Sequence, residues 1–405
     1  MSAPALEQGH LKILFLLSIL NDARDSKRIA MLQQAGFEVE AVAFDRGFFS
    51  GRPPNCPVEI IGKILNGHYV QRIPKLIAAL GRVRRAIRRN DIVYTSGIDM
   101  ALTGLVARFG LKKPLILEVG DIRKIQVSHN LSGYAVRCMD RCIAMRSALI
   151  VATAPGFIDG YYRNWLNVNT PAIVIENKLE ASVSSYNSTV APAKGIPLVD
   201  RALRIGYFGM LRCDWSWRVL EGLAASAAEK VQIVVAGRVI APADLQSRAA
   251  RFKNIDFRGE FRSPEQLPEL YGDVDLVWAC YPGADEGKAD WRWAQAICRS
   301  NRFYESCLFQ VPIISKAGSG DAVQIASGKI GLIIEEEDIK AVVDRICKIN
   351  SKDLQIWKEN IAKLPQEIYL YTVEAESLKK ALHSSMTKGS SYLSSICKER
   401  TVPFL

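Results

Sequence analysis

The amino-acid sequence predicts an α/β protein made of two doubly wound, Rossmann-like domains. The chain has 405 residues, which exceeds what one ordinary hydrophobic core supports and is typical of two domains. Short runs rich in Val, Ile and Leu alternate with stretches of helical periodicity, as in parallel sheets that are covered by helices on both faces. Residues 181–197 are rich in Ser, Ala and Pro, so they are predicted to link the two domains.

The first half of the chain supplies the elements of one predicted domain, residues 1–190. The predicted strands are LKILFLL, EVEAVAF, DIVYTS, PLILEVG, ALIVAT and PAIVIEN. The helices between them are SKRIAMLQQAGF, IPKLIAALGRVRRAIRR, MALTGLVARFG and YAVRCMDRCIAMR. Parallel strands require long crossover connections of this kind, so a doubly wound parallel sheet is expected.

The second half repeats the scheme and predicts a second domain, residues 200–360. Its strands are LRIGYFGM, VQIVVAGR, IDFRGEF, DLVWACYP, VPIISKAG and IGLIIEE. Residues 361–405 are predicted to form a helix that returns to the first domain, followed by a tail. Ligands of open parallel sheets bind outside the carboxyl ends of the strands, so the residues that follow each strand are the functional candidates.

The positive charge of the chain is concentrated in its first half. The formal net charge is +11. Residues 1–195 contain 25 Lys and Arg against 15 Asp and Glu, which gives +10, and the remainder contains 28 against 27, which gives +1. This asymmetry favours an anionic partner for the first domain.

Several classes of protein are disfavoured by the composition. The nine cysteines are scattered and form no C-x-x-C pair, so they are interpreted as buried apolar residues of a reducing cytoplasm. The run LKILFLLSIL follows MSAPALEQGH, which has no cation, and it is interpreted as a strand rather than a signal peptide. No segment provides the roughly 20 apolar residues of a membrane-spanning helix.

Four stretches of the second half occur in an order that resembles a known family. GYFGML, IVVAGR, IDFRGEF…LPELYGDVDLVWACYP and NRFYESCLFQVPIISKAGSGDAV resemble the donor-binding domain of GT-B glycosyltransferases, family-four-like enzymes of bacterial capsular and exopolysaccharide synthesis. NDARDSKRIAMLQQAGFEV, DIVYTSG, LILEVGD and IEN fit the other domain of that family. The resemblance covers about residues 11–350. It implies two domains that face each other across a cleft, and transfer of a sugar from a UDP- or GDP-linked donor to a lipid-linked or oligosaccharide acceptor, without metal or other cofactor.

The resemblance assigns roles to particular residues. Glu305 matches the second of two family glutamates, which implies that it holds the ribose hydroxyls, whereas the first falls on Ile297. Arg212 lies where the family places a phosphate-binding arginine, but the family's lysine position is occupied by Trp215. The set typical of a retaining enzyme is therefore incomplete, and the stereochemistry of the reaction stays open.

The helix NRFYESCLF can be interpreted physically as a diphosphate site. Ser300 or Asn301 can cap it, and the free N–H groups of a helix N-terminus suit a diphosphate. Arg299 and Arg302 can add forked, charge-assisted hydrogen bonds to phosphate oxygens, while Glu305 lies one turn further on. The alternative is that Arg302 and Glu305 are a solvated i,i+3 pair of the helix surface.

The segment GADEGKADWRW follows a predicted strand and offers two more cations. Lys288 and Arg292 are candidate contacts to the donor phosphates or to an acidic sugar. Trp291 or Trp293 could stack on a sugar face, or both could be core residues.

Two turns of the second half remain open to alternative interpretations. In AGSGDAV, Gly318 and Ser319 can bring backbone N–H groups close to an anion, or the turn can simply end with Asp321 as a helix cap. The D-x-D pattern of Asp273 and Asp275 directly precedes an apolar strand, so both are interpreted as turn residues and no metal site is expected.

Sugar transfer with inversion needs a carboxylate that removes the acceptor's proton. Asp121 follows the strand PLILEVG and is the first candidate for this base. Asp22, after the first strand, is the second candidate, and Glu118 lies on a strand itself. Each of these residues could instead be a cap or a surface residue.

The helix at residues 74–89 is predicted to carry much of the excess charge. An apolar face of Leu76, Leu80, Val83 and Ile87 should pack on the sheet. The membrane or acceptor candidates are Lys75, Arg82, Arg85 and Arg89 on the opposite side and Arg88 on the flank. We expect contact with anionic lipid at the inner face of the plasma membrane, with a solvated face as the alternative. No aromatic-basic pattern supports a nucleic-acid partner.

Two rival functions are compatible with the same sequence features. One is a nucleotide-sugar epimerase of the GT-B fold, which has no glycan acceptor. The other is a non-catalytic subunit that binds nucleotide sugars within a polysaccharide assembly complex, a hypothesis that Ile297 at a glutamate position keeps open.

Overall fold

The computed structural model describes residues 11–45, 54–63, 69–183, 201–280 and 296–386. The chain divides into two compact units. The first unit contains the described residues up to Asn177 and from Val373 onward, and the second contains those from Lys178 to Thr372. The first unit ends 13 residues before the predicted limit at 190, and the second begins 22 residues before 200 and ends 12 residues after 360.

The first unit is built on a parallel sheet with the strand order β3-β2-β1-β4-β5-β6-β7. The strands are β1 (Lys12–Leu17), β2 (Glu38–Asp45), β3 (Val58–Lys63), β4 (Ile92–Ser96), β5 (Leu115–Val119), β6 (Leu149–Ala152) and β7 (Ala172–Val174). The helices are α1 (Ala23–Gln34), α2 (Tyr69–Arg89), α3 (Ile98–Ala107), α4 (Leu131–Arg146) and a π-helix (Phe157–Trp165). The strand order reverses between β1 and β4, which makes their carboxyl ends the switch point of this sheet.

The second unit has its own parallel sheet with the order β10-β9-β8-β11-β12-β13. The strands are β8 (Leu203–Leu211), β9 (Val231–Val239), β10 (Ile255–Gly259), β11 (Leu276–Trp278), β12 (Ile313–Lys316) and β13 (Gly331–Ile334). The helices are α5 (Asp214–Ser226), α6 (Leu245–Ala249), α7 (Leu267–Gly272), α8 (Asn301–Phe309), α9 (Ala322–Gly328), α10 (Ile339–Ile346) and α11 (Ser351–Ala362). The switch point of this sheet lies between β8 and β11.

Both faces of the second sheet are buried, as the continuous apolar strands predict. Along β9, Ile233 and Val235 belong to one apolar cluster, and Val234 belongs to the other. This alternation places the two clusters on opposite faces of the sheet. The doubly wound α/β prediction is therefore confirmed for each unit.

The last described helix, α12 (Glu374–Met386), belongs to the first unit and contacts α1. The turn Gln366–Ile368 before it still belongs to the second unit. None of the described helices combines the length and apolar composition needed to cross a bilayer.

Candidate functional site

The start of α8 lies over the end of β8 at the switch point of the second unit. Gly209 of β8 has a φ of +94°, and a Cβ at this position would lie 2.9 Å from Nη2 of Arg302. Glycine is therefore required here both by the backbone conformation and by the close approach of the guanidinium. Arg302 is only 9% exposed, so this cation is held in a fixed place at the carboxyl edge of the sheet.

Ser300 caps α8 and is itself held by a buried carboxylate. Its Oγ accepts a hydrogen bond from the Phe303 N–H at 3.3 Å and donates to Asp321 Oδ2 at 2.6 Å. The Ser300 N–H donates to Asp321 Oδ1 at 2.9 Å. Burial raises the pKa of Asp321 to about 6, against the opposing effects of the Ser300 hydrogen bonds and of Arg299 and Arg302.

The same linkage shows the role of Asp321 in the AGSGDAV turn. Asp321 precedes α9 but makes no side-chain cap bond to it, and its carboxylate is directed at Ser300 instead. The turn also packs tightly, since a Cβ at Gly320 would lie 2.0 Å from the carbonyl oxygen of Cys298. The turn and the start of α8 therefore form one connected edge of the second unit.

Glu305 lies one helical turn beyond Arg302 and is half-buried. The phenolic OH of Tyr271 donates to its Oε2 at 2.7 Å, and Tyr271 itself is 1% exposed. One carboxylate oxygen is thus fixed by the core, which orients the group.

The other donor candidates occupy the same edge with different exposures. Arg212 is exposed directly after β8, and Asn301 is exposed at the start of α8. The Arg299 guanidinium lies 5.0 Å from the ring centroid of Phe303. Gly318 is exposed with a φ of +78°, and Ser319 Oγ lies 2.9 Å from Ser315 Oγ. Lys288 and Arg292, with Trp291 and Trp293, lie outside the described residues.

The family's lysine position is filled by a core residue. Trp215 is 5% exposed, packs against Trp278 with ring centroids 6.0 Å apart, and donates from Nε1 to the carbonyl of Glu337 at 2.9 Å. One buried cation at the carboxyl edge of this sheet was not singled out from the sequence. Lys316, the last residue of β12, is 9% exposed at the carboxyl edge of the sheet.

In the first unit, the Arg24 guanidinium lies beside the loop that carries Asp121, and Arg24 follows Asp22 by two residues. A Cβ at Gly120 would lie 1.6 Å from Nη1 of Arg24, so the guanidinium occupies the space beside the glycine that precedes Asp121. Burial lowers the pKa of Arg24, but the surrounding carboxylates, those of Asp22 and Asp121 foremost, together outweigh this effect, and the pKa is raised. Asp22 also caps α1, since its Oδ1 accepts from the Arg24 N–H at 2.9 Å, whereas Asp121 is exposed.

Glu118 is excluded as a base because it is part of a buried ion pair. Glu118 and Arg28 are each 2% exposed, and Arg28 Nε donates to both carboxylate oxygens at 3.0 and 2.9 Å. Tyr94 donates from its OH to the same carboxylate. Burial and the charge of Glu118 raise the pKa of Tyr94, so the phenol stays protonated as a donor.

A buried carboxylate of α4 supports the loop that carries Asp121 through hydrogen bonds of Gln126. Asp140 is 0% exposed and accepts from Gln126 Nε2 at 2.8 Å and from the OH groups of Tyr161 and Tyr162, both at 3.0 Å. Gln126 Oε1 in turn accepts from the backbone N–H of Arg123 at 2.8 Å. The π-helix after β6, which supplies both tyrosines, is a type of element often found near functional sites.

Three of the five candidate cations on α2 have partners among the described residues of the first unit. The expected apolar face packs into the sheet's core. Lys75 donates to the carbonyl of Lys63, Arg82 donates to that of Ile61, and Arg89 pairs with Glu40 at 2.8 Å. Arg85 and Arg88 are exposed and make no polar contact with other described residues. The same helix exposes two isoleucines, Ile73 at 55% and Ile77 at 62%.

The D-x-D pattern has a structural explanation. Asp275 is 1% exposed and accepts from Arg201 at 2.6 and 2.7 Å, while Asp273 pairs with Arg258 at 2.8 Å. Over the described ranges, no group of three or more His, Cys, Asp or Glu side chains is placed to hold a metal ion.

Two doubly wound parallel-sheet units in one chain, each with polar residues at its switch point, give the chain the GT-B fold of glycosyltransferases. The chain is 28% identical over 346 residues to the succinoglycan biosynthesis protein ExoL of Rhizobium meliloti, covering 82% of this chain and 83% of that protein. No family model matches the sequence.

Two solved structures illustrate the likeness of the fold. Sucrose-phosphate synthase from Thermosynechococcus elongatus has a TM-score of 0.69 and 12% identity, covering 93% of this chain and 100% of that one. Anabaena HepE in complex with UDP-glucose has a TM-score of 0.63 and 17% identity, again over 93% and 100% of the two chains. The predicted GT-B fold is confirmed.

Proposed function

We propose that this chain is a glycosyltransferase of exopolysaccharide synthesis that moves a sugar from a UDP- or GDP-linked donor to a lipid-linked or oligosaccharide acceptor. The observation that carries this proposal is the buried Arg302 guanidinium, fixed over Gly209 at the start of a nine-residue helix, with Glu305 one turn further on. Two names support it: ExoL is named for succinoglycan biosynthesis, and the HepE structure is described as a complex with UDP-glucose.

In the proposed reaction, the donor diphosphate lies at the N-terminus of α8. Negative charge develops on this leaving group, and preorganised cations and N–H groups stabilise it without a metal or other cofactor. Glu305 accepts hydrogen bonds from the ribose hydroxyls. The proposed diphosphate contacts are Arg212, Arg299, Asn301, Arg302, Gly318 and Ser319, with Lys288 and Arg292 from outside the described residues.

On the acceptor side, Asp121 is proposed to remove the proton from the attacking hydroxyl. Its exposure two residues after β5 leaves the carboxylate accessible to an acceptor hydroxyl. Asp22 is the second candidate, but its side chain already serves as the cap of α1.

The donor site can be tested by neutral substitutions. Arg302→Gln and Glu305→Gln are each expected to weaken the binding of UDP or GDP by about 10- to 100-fold, the loss of one charge-assisted hydrogen bond. Only Glu305→Gln should also weaken binding of the nucleoside, because Glu305 contacts the ribose. Isothermal titration calorimetry measures the affinity of both variants for UDP, GDP and the nucleosides. The matched controls are Arg251→Gln and Glu229→Gln, which change exposed residues. Unchanged affinity in both site variants would show that the nucleotide binds elsewhere.

Incubation of the wild-type protein with labelled UDP- and GDP-sugars and bacterial membranes distinguishes the rival functions. Transfer of label to a lipid or glycan product supports the proposal. Conversion of the donor sugar without an acceptor identifies an epimerase. Donor binding with neither transfer nor hydrolysis identifies a non-catalytic subunit.

We also propose that α2 holds the first unit against the inner face of the plasma membrane, where a lipid-linked acceptor is available. Arg85 and Arg88 have no other polar contact among described residues, and Ile73 and Ile77 supply exposed apolar area on the same helix. Each cation near an anionic surface contributes about 1 kcal/mol, so Arg85→Gln/Arg88→Gln should lower binding to phosphatidylglycerol liposomes by roughly 30-fold. Equal sedimentation of this variant and Arg251→Gln with the liposomes contradicts the proposal.

A further inference from the structure

Lys316 is a buried cation at the carboxyl edge of the second sheet. In β12, Ile313 packs into one apolar cluster and Ile314 into the other, so Lys316, two residues further on, lies on the same face as Ile314. That face carries the cluster containing Trp215 and Trp278. Lys316 is 9% exposed, and its Nζ donates to the carbonyl oxygen of Glu335 at 2.7 Å.

The charge of Lys316 is not neutralised by any carboxylate in the described part of the chain. No acidic oxygen there lies within 4.0 Å of its Nζ. Of the adjacent acidic residues, Glu336 pairs with Arg345 at 3.2 Å, and Glu337 offers its carbonyl to Trp215. An ammonium carries three N–H donors, and burying it without a counter-charge is costly. Its position is therefore suited to an anionic ligand.

One loop places this ammonium near the start of α5. In the loop after β13, the carbonyl of Glu335 accepts from Lys316 Nζ at 2.7 Å, and the carbonyl of Glu337 accepts at 2.9 Å from Nε1 of Trp215, in the first turn of α5. Lys316 also opposes the rise that burial and the thiol of Cys213 cause in the pKa of Cys280. Cys213 is the N-cap of α5, a thirteen-residue helix, and Ser216 in its first turn donates to the carbonyl of Cys280 at 2.7 Å. Lys316 thus lies where β8 and β11 end and where a long helix presents its positive end.

We propose that Lys316 binds the diphosphate of the nucleotide-sugar donor. This inference rests on the proposed function and adds a ligand to its donor site. Lys316 supplies this positive charge from the end of β12, whereas Trp215, in the first turn of α5, is a core residue. The diphosphate then lies between this ammonium, the N-terminus of α5 and the guanidinium of Arg302.

The test compares nucleotides with nucleosides. UDP, uridine, GDP and guanosine are titrated by calorimetry into the wild type, Lys316→Met and, as a control, the exposed Lys340→Met. Lys316→Met is expected to weaken binding of the diphosphate by about 10- to 100-fold and to leave nucleoside binding unchanged, because only the diphosphate touches the ammonium. If Lys316→Met does not fold, Lys316→Gln, which keeps a donor for the Glu335 carbonyl, gives the same comparison.

The melting temperature without ligand gives an independent readout. Removal of a buried charge that has no counter-charge should raise the Tm of Lys316→Met. If Lys316 had only a structural role, its removal would lower the Tm and would weaken the binding of nucleosides and nucleotides alike. If the wild type binds a nucleoside diphosphate and the variant binds it equally well, this inference fails and the proposed function stands. If the wild type binds neither UDP nor GDP, the proposed function fails together with the inference.

Discussion

Asp121→Asn is expected to lower the rate of sugar transfer by about 10²- to 10⁴-fold, the range that a general base contributes. The amide cannot accept the acceptor's proton, while it keeps the size of the carboxyl group. Donor affinity should not change, because the donor candidates belong to the second unit and Asp121 to the first. Initial rates of transfer at saturating donor, together with calorimetric donor affinity, measure both quantities.

Two further variants test whether the base is Asp121. Asp159→Asn changes an exposed carboxylate of the same unit, which pairs only with Arg163 among the described residues, and serves as the control for charge. Asp22→Asn tests the second candidate, since asparagine caps a helix as well as aspartate does and should leave α1 intact. Loss of transfer in Asp22→Asn with normal turnover in Asp121→Asn would reassign the base to Asp22.

The fold could be predicted from the sequence because apolar runs and helical periodicity are local signals. The strand β3 was not predicted, since it lies at the edge of its sheet and its six residues, VEIIGK, contain no long apolar run. The π-helix was not predicted either, because no local pattern separates it from an α-helix.

The candidate site could be predicted only in part. Arg302 was proposed from the predicted start of a helix, which is a local signal, and Glu305 was proposed mainly from the resemblance to GT-B enzymes. The contact of Arg24 with Gly120 joins residues 96 positions apart, and only the packed fold brings them together. In the sequence, Lys316 is indistinguishable from an exposed polar residue at the end of a strand. Its burial depends on the tertiary packing around β12, which the local sequence does not encode.

The buried pair of Arg28 and Glu118 should have the largest effect on stability. Arg28→Met is expected to lower the free energy of unfolding by about 3–5 kcal/mol, because it leaves the Glu118 carboxylate buried without its counter-charge. The side chains of both residues are 1% exposed, so water cannot replace the lost partner. Arg28 also donates to the carbonyl of Ile175 at 3.1 Å, and that bond is lost as well. Urea unfolding of the wild type and the variant measures the difference.

A double variant separates the charge effect from the loss of packing. Arg28→Met/Glu118→Gln has no buried charge at this place, and the Tyr94 OH can still donate to the amide oxygen. It should therefore be more stable than Arg28→Met alone, although it carries one more substitution. Strictly additive losses would mean that the pair contributes nothing beyond packing. Because the pair joins α1 to β5, the elements that position Arg24 and Asp121, its removal should also weaken the contact that holds the candidate base.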